Sequence, residues 1–364
     1  MEPASRVTIA MFCEGKAGNL LKYSFAAVAS LRNAVFYYFT PDDIRAESRT
    51  IHGYTIENDE WVQRVFPYPD AIYDRIARRG RLYPEAYGAL EGIPMSTDKT
   101  FAADDKLTIN QLILDSGKFE DVIIPSEKIN STEQIFAWLE RFGEVIVKPA
   151  RGMQGKQLFY IRRNEDGYIV IKDQETSFHF PRGLTEWLKA VGLKGRGHYL
   201  VQPFIRSATK NGNPFDFRAH MCRGENGELE MVKIYPRIGN PSGVVSNFAS
   251  GGYVGDLKNF YVKDLGLPED RFFGFRRRLT EFSLQFAEHL QGLLDYRVHE
   301  IGLDLGMDPS GKIWLFEANM NRLGKTFIHL EVAKKSVPYI IHLARTEQER
   351  KKQDPELQLA MMTS

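Results

Sequence analysis

Short apolar runs of strand length alternate with amphipathic stretches through the first part of the chain. Residues 7–12 and 34–39 are near-continuous apolar runs, which at this length read as buried strands. Between them Gly15 and Gly18 interrupt the pattern. Asn19 stands at a helix N-cap position, ahead of Leu20, Ala27, Val28 and Leu31 on one helical face. Strand, helix and strand in this order predict a βαβ unit and an open parallel sheet. Thr40-Pro41-Asp42-Asp43 closes the second run, Pro67, Pro69, Pro84 and Pro94 punctuate the next stretch, and residues 71–75 read as one more strand.

From about Asp98 the texture changes. A helix is predicted over 104–114, and Ser131 with Gln134 forms a capping box opening a helix to Phe142. Strands over 144–148 and 157–162 flank a glycine-bearing loop, followed by a strand over 168–172 and a short helix over 184–191. A long β region comprises 199–205, 215–223 and 228–238, the last two joined by Gly224-Glu225-Asn226-Gly227. An amphipathic helix spans 270–294, and strands over 298–305 and 312–317 flank the turn Asp308-Pro309-Ser310-Gly311. Beyond Arg345 the chain is charged and aperiodic, as expected of a frayed tail. There is no repeat of the kind that marks solenoids and propellers.

A chain of 364 residues is long enough for two or three domains. Charged residues at 26% and hydrophobic ones at 43% exclude disordered and fibrous classes. The net charge of +1 argues against a dedicated nucleic-acid or membrane-surface binder, which needs a one-sided field. Cys13 and Cys222, the only cysteines, each lie in an apolar run and read as buried reduced thiols. No apolar run approaches the roughly 20 residues needed to span a bilayer. The first residues carry no signal-peptide pattern. A cytoplasmic setting is expected.

Three constellations carry chemistry. Asp304, Glu317 and Asn319 lie on the last two strands, with Glu317 and Asn319 on one face by the two-residue repeat. Hard oxygen donors of this kind suit Mg²⁺; the alternative is an ordinary polar hairpin face. Behind Lys148 runs a loop with Arg151, Gly152, Gln154, Gly155 and Lys156, whose glycines and cations suit an anion, a structural turn being the alternative. Asp216 and Arg218 share a strand face, with Arg237 on the paired strand: a phosphate or carboxylate clamp, or an ion pair on a wet face. Asn247, Gly251 and Gly252 supply a second loop able to close on a substrate. The histidines have no metal spacing, and His220 and His299 read as core residues or as partners of ligands. Serine-hydrolase elbows, CxxC pairs and dinucleotide fingerprints are absent.

Taken in order, Lys106 on a helix, Lys148 at a strand end, the glycine loop, Val201-Gln202-Pro203-Phe204-Ile205, the Asp-x-Arg strand, Asp304 and Glu317-x-Asn319 resemble the ATP-grasp superfamily. Phe66-Pro67-Tyr68-Pro69-Asp70-Ala71-Ile72-Tyr73-Asp74-Arg75, Pro214-Phe215-Asp216-Phe217-Arg218-Ala219-His220 and Ser246-Asn247-Phe248-Ala249-Ser250-Gly251-Gly252 resemble its spore-coat-associated YheC/YheD-type family. Ile124-Pro125-Ser126-Glu127 departs from that family's pattern, and the hinge carries Gln202 where many relatives outside the family have Glu.

The resemblance implies a mixed α/β and α+β fold. It would have an N-terminal βαβ substrate domain over 1–96, a central lobe over 97–201, a C-terminal lobe over 202–345 and a charged tail over 346–364. It implies ATP and Mg²⁺, with Mn²⁺ as an alternative. Lys106 and Lys148 would contact phosphates, with the 150s loop above them. Gln202, Pro203, Phe204 and Ile205 would line adenine, and Asp304, Glu317 and Asn319 would hold the metal. Arg218 and Arg237, with Lys148, would serve catalysis, and Arg75, Asp216, Asn247, Gly251 and Gly252 the substrate. The implied activity is carboxylate–amine ligation through an acylphosphate, on small-molecule or peptide substrates, with a homodimer as the assembly considered. A nucleotide-binding structural protein of a surface assembly and a small-molecule kinase are the alternatives.

Overall fold

A computed structural model describes residues 6–76, 82–97, 106–150, 158–172, 175–191, 199–240, 252–321, 323–324 and 327–353. Strand β1 (Thr8–Phe12) pairs in parallel with β2 (Val35–Phe39) on one side and β6 (Ala71–Asp74) on the other. Helix α1 (Leu20–Leu31) makes the crossover, and the Asn19 side chain caps it by accepting from Lys22 N at 3.1 Å. The chain leaves β1 toward β2 and later returns to its other flank. The C-terminal end of β1 is therefore the switch point of the sheet, where open α/β sheets hold ligands. Arg75 N donates to Phe12 O there at 2.8 Å.

Between β2 and β6, where the sequence predicts no strand, the chain forms β3 (Ile44–Arg45), β4 (Thr50–Glu57) and β5 (Glu60–Pro67). The β4–β5 hairpin turns on Asn58 and Asp59, with φ of 51° and 66°. Such a left-handed two-residue turn matches the twist of paired strands. Asn-Asp between two runs was the signal for it.

Helices α2 (Pro84–Ala89) and α3 (Lys106–Asp115) lead into an antiparallel sheet. Its strands are β7 (Glu127–Lys128), β8 (Glu144–Pro149), β9 (Phe159–Arg163), β10 (Tyr168–Lys172), β11 (Glu175–His179) and β12 (Tyr199–Pro203), in the order β11-β10-β9-β8-β12-β7. Helices α4 (Thr132–Phe142) and α5 (Pro181–Ala190) cover one face, where Val145, Val147, Phe159, Ile161 and Val201 meet Ile135, Leu139, Leu184 and Leu188. The capping box on α4 is formed as expected from Ser131 and Gln134.

The third sheet runs β15-β14-β13-β16-β17. Its strands are β13 (Phe215–Arg223), β14 (Leu229–Ile238), β15 (Tyr253–Val254), β16 (Glu300–Met307) and β17 (Ile313–Met320). Alternation along β13 sends Phe215, Phe217, Ala219 and Met221 into a core with Phe286 and Leu290 of α6 (Phe272–Leu293). Asp216, Arg218, His220 and Cys222 take the other face.

The last helix, α7 (His329–Gln353), joins the first unit to this sheet. Val332, Val337 and Ile340 share a core with Ile9, Met11 and Phe25 and with Cys222 and Tyr235. His299 completes the seam, its ring 5.1 Å from Tyr73 and 5.2 Å from Tyr339 between centroids. The expected tail after Arg345 is corrected accordingly: the helix continues to Gln353, and Gln348 Nε2 donates to Asp70 Oδ1 at 3.1 Å. Its residues lack core periodicity because they lie along the first unit's surface. Both cysteines are free and buried. Among the described residues no helix is long and apolar enough to cross a membrane.

Ser207 ties the connection after β12 to the third sheet. Its Oγ donates to Phe215 O at 2.7 Å, a buried bond, and accepts from Met307 N at 3.1 Å, a part-buried one. Ser207→Ala orphans two backbone groups and is expected to cost about 1–3 kcal/mol, read as a lower urea midpoint at unchanged slope.

Candidate functional site

Side chains directly opposite in antiparallel strands share a face, and the register of the third sheet assembles the site. Tyr235 lies opposite Arg218, Arg218 opposite Asp304, and Asp304 opposite Glu317. One step along, Asp216 lies opposite Arg237, and in the other direction Gly302 lies opposite Asn319. Arg218 Nε donates to Asp304 Oδ1 at 2.5 Å and its Nη2 to Oδ2 at 3.1 Å. Arg237 forks onto Asp216, Nε to Oδ1 at 2.6 Å and Nη2 to Oδ2 at 2.7 Å, and Nη2 also reaches Asp304 Oδ2 at 2.9 Å. Asn319 Nδ2 donates to the same Oδ2 at 3.4 Å.

The four charged side chains are nearly buried, Asp304 at 9% and Asp216 at 6% exposure. The wet-face alternative is therefore excluded. Burial by itself would push the Asp304 carboxyl upward; the charges of Arg218 and Arg237, with their hydrogen bonds, outweigh it and hold the group below its ordinary value.

Two expected site residues have protein partners in this structure. Asp216, expected at the substrate, has both oxygens on Arg237 and acts as that guanidinium's holder. Asp304, expected on the metal, has both oxygens on arginines. As a metal set the trio fits only in part: Glu317 and Asn319 are half-buried oxygen donors on one face, whereas Asp304 in this arrangement does not fit a cation.

The second sheet turns its helix-free face to other uses. Lys148 lies opposite Leu200, and Ile146 opposite both Gln202 and Tyr160, so these five share one face, all buried except the half-buried Lys148. Gln202 was expected here; Ile146, Tyr160 and Leu200 were not singled out in the sequence, although strand alternation from Lys148 and Gln202 leads to them. Pro203, Phe204 and Ile205 come next, half-buried, with the Phe204 ring 4.9 Å from Tyr160. Phe204 N donates to Glu144 O at 3.0 Å, and Arg206 pairs with the Glu144 carboxylate at 2.9 Å. Lys106 begins α3, but its side chain lies outside the described residues, as do Arg151, Gly152, Gln154, Gly155, Lys156, Asn247 and Gly251. Gly252 is half-buried and adjoins β15, whose Val254 lies opposite Arg237.

A family model described as YheC/D-like ATP-grasp matches residues 93–346, which include both sheet faces. The chain belongs to the YheC/D-like ATP-grasp family. Among curated proteins it is 25% identical over 309 residues to the endospore coat-associated protein YheD of Bacillus subtilis (strain 168), covering 80% of this chain and 65% of that one. It is 24% identical over 336 residues to the endospore coat-associated protein YheC of the same strain, covering 86% and 87%. The chain thus spans a little under two thirds of YheD. Among solved structures, D-alanyl-alanine synthetase A of Vibrio cholerae O1 biovar eltor str. N16961 superposes with a TM-score of 0.51 at 14% identity, over 95% of this chain and 99% of that one. That likeness establishes the ATP-grasp fold.

One polar cluster of this ATP-grasp chain is not among the sequence-predicted sites. On the polar face of the third sheet, Glu300 lies opposite Cys222 and is fully buried. His220 Nε2 is 2.7 Å from Glu300 Oε1, and Arg75 Nη1 reaches Oε2 at 3.6 Å from across the seam. Arg75, expected at a substrate carboxylate, meets a protein carboxylate instead. His220, Cys222 and Glu300 bring ligand atoms within 4.8 Å of one another, but Arg75 already balances the carboxylate. A divalent cation there would leave a buried guanidinium beside it, so the cluster reads as an ion pair joining the two units. A carboxylate at the start of a strand whose only other charged residue is Asp304 was its signal.

Asp304→Asn leaves two buried guanidiniums facing one carboxylate and is expected to cost about 3–5 kcal/mol in urea unfolding. Glu317→Gln, at a half-buried position, is expected to cost less than Asp304→Asn in the same measurement. The Asp304 contribution is complete above the unfolded-state value of a carboxyl and is lost as pH falls through the lower folded value. Acid titration of the wild type should therefore show a loss of stability that Asp304→Asn lacks.

Proposed function

We propose that the chain is an ATP-dependent carboxylate–amine ligase working through an acylphosphate. The observation that carries the reading is the pair of buried guanidiniums, Arg218 and Arg237, fixed by Asp216 and Asp304 on the sheet face that also bears Glu317 and Asn319. Planar forks held in this way suit phosphate and carboxylate oxygens. Membership of the ATP-grasp family supports ATP as the nucleotide.

In this reading a carboxylate oxygen of the acid attacks the γ-phosphorus of ATP, the bond to the β–γ bridging oxygen breaks, and ADP leaves. The amine nitrogen then attacks the acyl carbon, the bond from that carbon to the phosphate oxygen breaks, and the nitrogen gives up a proton as phosphate departs. No side-chain nucleophile is needed; the protein's part is positioning and charge neutralisation. Lys106, Lys148, Arg151, Gly152, Gln154, Gly155 and Lys156 are assigned to the phosphates, and Gln202 to Ile205 with Tyr160 to adenine. Arg218 and Arg237 hold the transferred group, and Asn247, Gly251 and Gly252 border the substrate. Glu317 and Asn319 would hold Mg²⁺, or Mn²⁺, which offsets phosphate charge.

A second reading, a nucleotide-binding structural protein without turnover, is favoured by the coat association of YheD and YheC. A panel of amino acids and peptides assayed for ADP release separates the two. With an active acid, hydroxylamine should trap a hydroxamate, and Glu317→Gln and Asn319→Ala should each lower turnover by about two to three decades. ADP release that yields no hydroxamate would identify a kinase, and ATP binding with no ADP release under any pairing would identify the structural protein.

A further inference from the structure

Asp304 and the metal reading are in conflict, and the conflict has a definite geometry. Oδ1 accepts from Arg218, and Oδ2 accepts from Arg218, Arg237 and Asn319. Oδ2 has no site left, and a divalent cation at about 2.1 Å on the remaining site of Oδ1 would sit beside two fixed positive charges. Asp216 and Asp304 together match Arg218 and Arg237 in charge, so this quartet has nothing left with which to draw in a cation.

The two arginines are not equivalent. Arg237 has a complete fork partner in Asp216, and its reach to Asp304 is one extra bond at 2.9 Å. It can lose Asp304 and remain paired. Arg218 places both Nε and Nη2 on Asp304. It can leave only for another acceptor able to take the same fork, because a buried guanidinium without a counter-charge is prohibitively costly. The fork geometry of a carboxylate is matched by two oxygens of a phosphate or of another carboxylate.

We propose that Arg218 is a bolt on Asp304: it closes this carboxylate to divalent cations until an oxyanion with two oxygens takes its fork, so that oxyanion and cation load the site together. The proposal rests on reading this face as the phosphate and metal site, and it adds a required coupling between the two. Arg237, anchored by Asp216, is the fixed element against which the bolt moves.

Mn²⁺ is the probe. Titration of the full chain followed by electron paramagnetic resonance, with no nucleotide present, should give weak binding for the wild type. Arg218→Met should bind about tenfold or more tightly, because Asp304 is released. Adding Asp304→Asn to Arg218→Met should abolish the gain, whereas a gain that survives in the double variant would be bulk charge and would overturn the bolt.

A second measurement needs no variant. Wild-type crystals are soaked in MnCl₂ alone, with ADP, with inorganic phosphate and with acetate, and manganese is located by anomalous scattering. Expected is no manganese at Asp304 from MnCl₂ alone. In at least one oxyanion soak, Arg218 should turn onto the oxyanion and manganese should lie within reach of Asp304. The soak that does this names a phosphate or a carboxylate as the key. Manganese on Asp304 with both arginines in place, or arginines unmoved in every soak, would overturn the proposal. Calorimetry with ADP tests the nucleotide reading separately: its failure would leave the nucleotide-free result for Arg218→Met standing on its own.

Discussion

Buried charge is tolerated only where it is paired and hydrogen-bonded, and in this protein that constraint centres on the polar face of the third sheet. Asp216, Arg218, Arg237 and Asp304 lie on β13, β14 and β16, and each is answered by a neighbour within 3.1 Å. A slip of one residue in the register of β16 would turn Asp304 into the apolar layer beside Phe286 and bring Leu303 and Leu305 among the arginines. The same register carries Glu317 and Asn319 to the edge of the cluster. Charge pairing and core packing thus enforce one alignment.

The rest of the molecule is arranged around that face. α6 seals the apolar side of the sheet with Phe286, Ala287 and Leu290. The first unit and α7 close the far end of the polar side, where Arg75 meets Glu300 and the Tyr73–His299–Tyr339 rings pack. The second sheet keeps a core of its own, with Val145, Val147 and Val201 packed on α4 and α5. It reaches the third through the β12 end and Ser207, which bonds to Phe215 and Met307. The helix-free face of the second sheet carries Lys148 among mostly apolar side chains, and the polar face of the third carries paired charges.

The metal trio illustrates how far spacing can be trusted. Glu317 and Asn319 fall on one face because strands repeat every two residues, and that much is local. What charge surrounds Asp304 depends on Arg218, 86 positions away in the chain, and on Arg237, which Asp216 orients. A carboxylate between two guanidiniums and a carboxylate open to a cation have the same sequence. Their difference is one of partners, which spacing along the chain does not record.

Elements whose causes are local were legible. Asn19 and the Ser131–Gln134 box started their helices, alternation from Phe215 to Arg223 separated a core face from a polar one, and Asp308-Pro309-Ser310-Gly311 made the turn between β16 and β17. The β4–β5 hairpin has a local cause in its Asn58-Asp59 turn, yet its strands are largely half-buried or exposed and present no apolar run to mark them. The helix past Arg345 could not be read, because its order comes from packing along the first unit and from Asp70. The sequence by itself determined the element order, the two-faced third sheet and the residue types assembled on it, since caps, turns and two-residue periodicity act over a few positions. Only the tertiary structure decided which charges meet, because Arg75 with Glu300, Arg218 with Asp304 and Arg237 with Asp216 are joined by strand register and burial across distant segments.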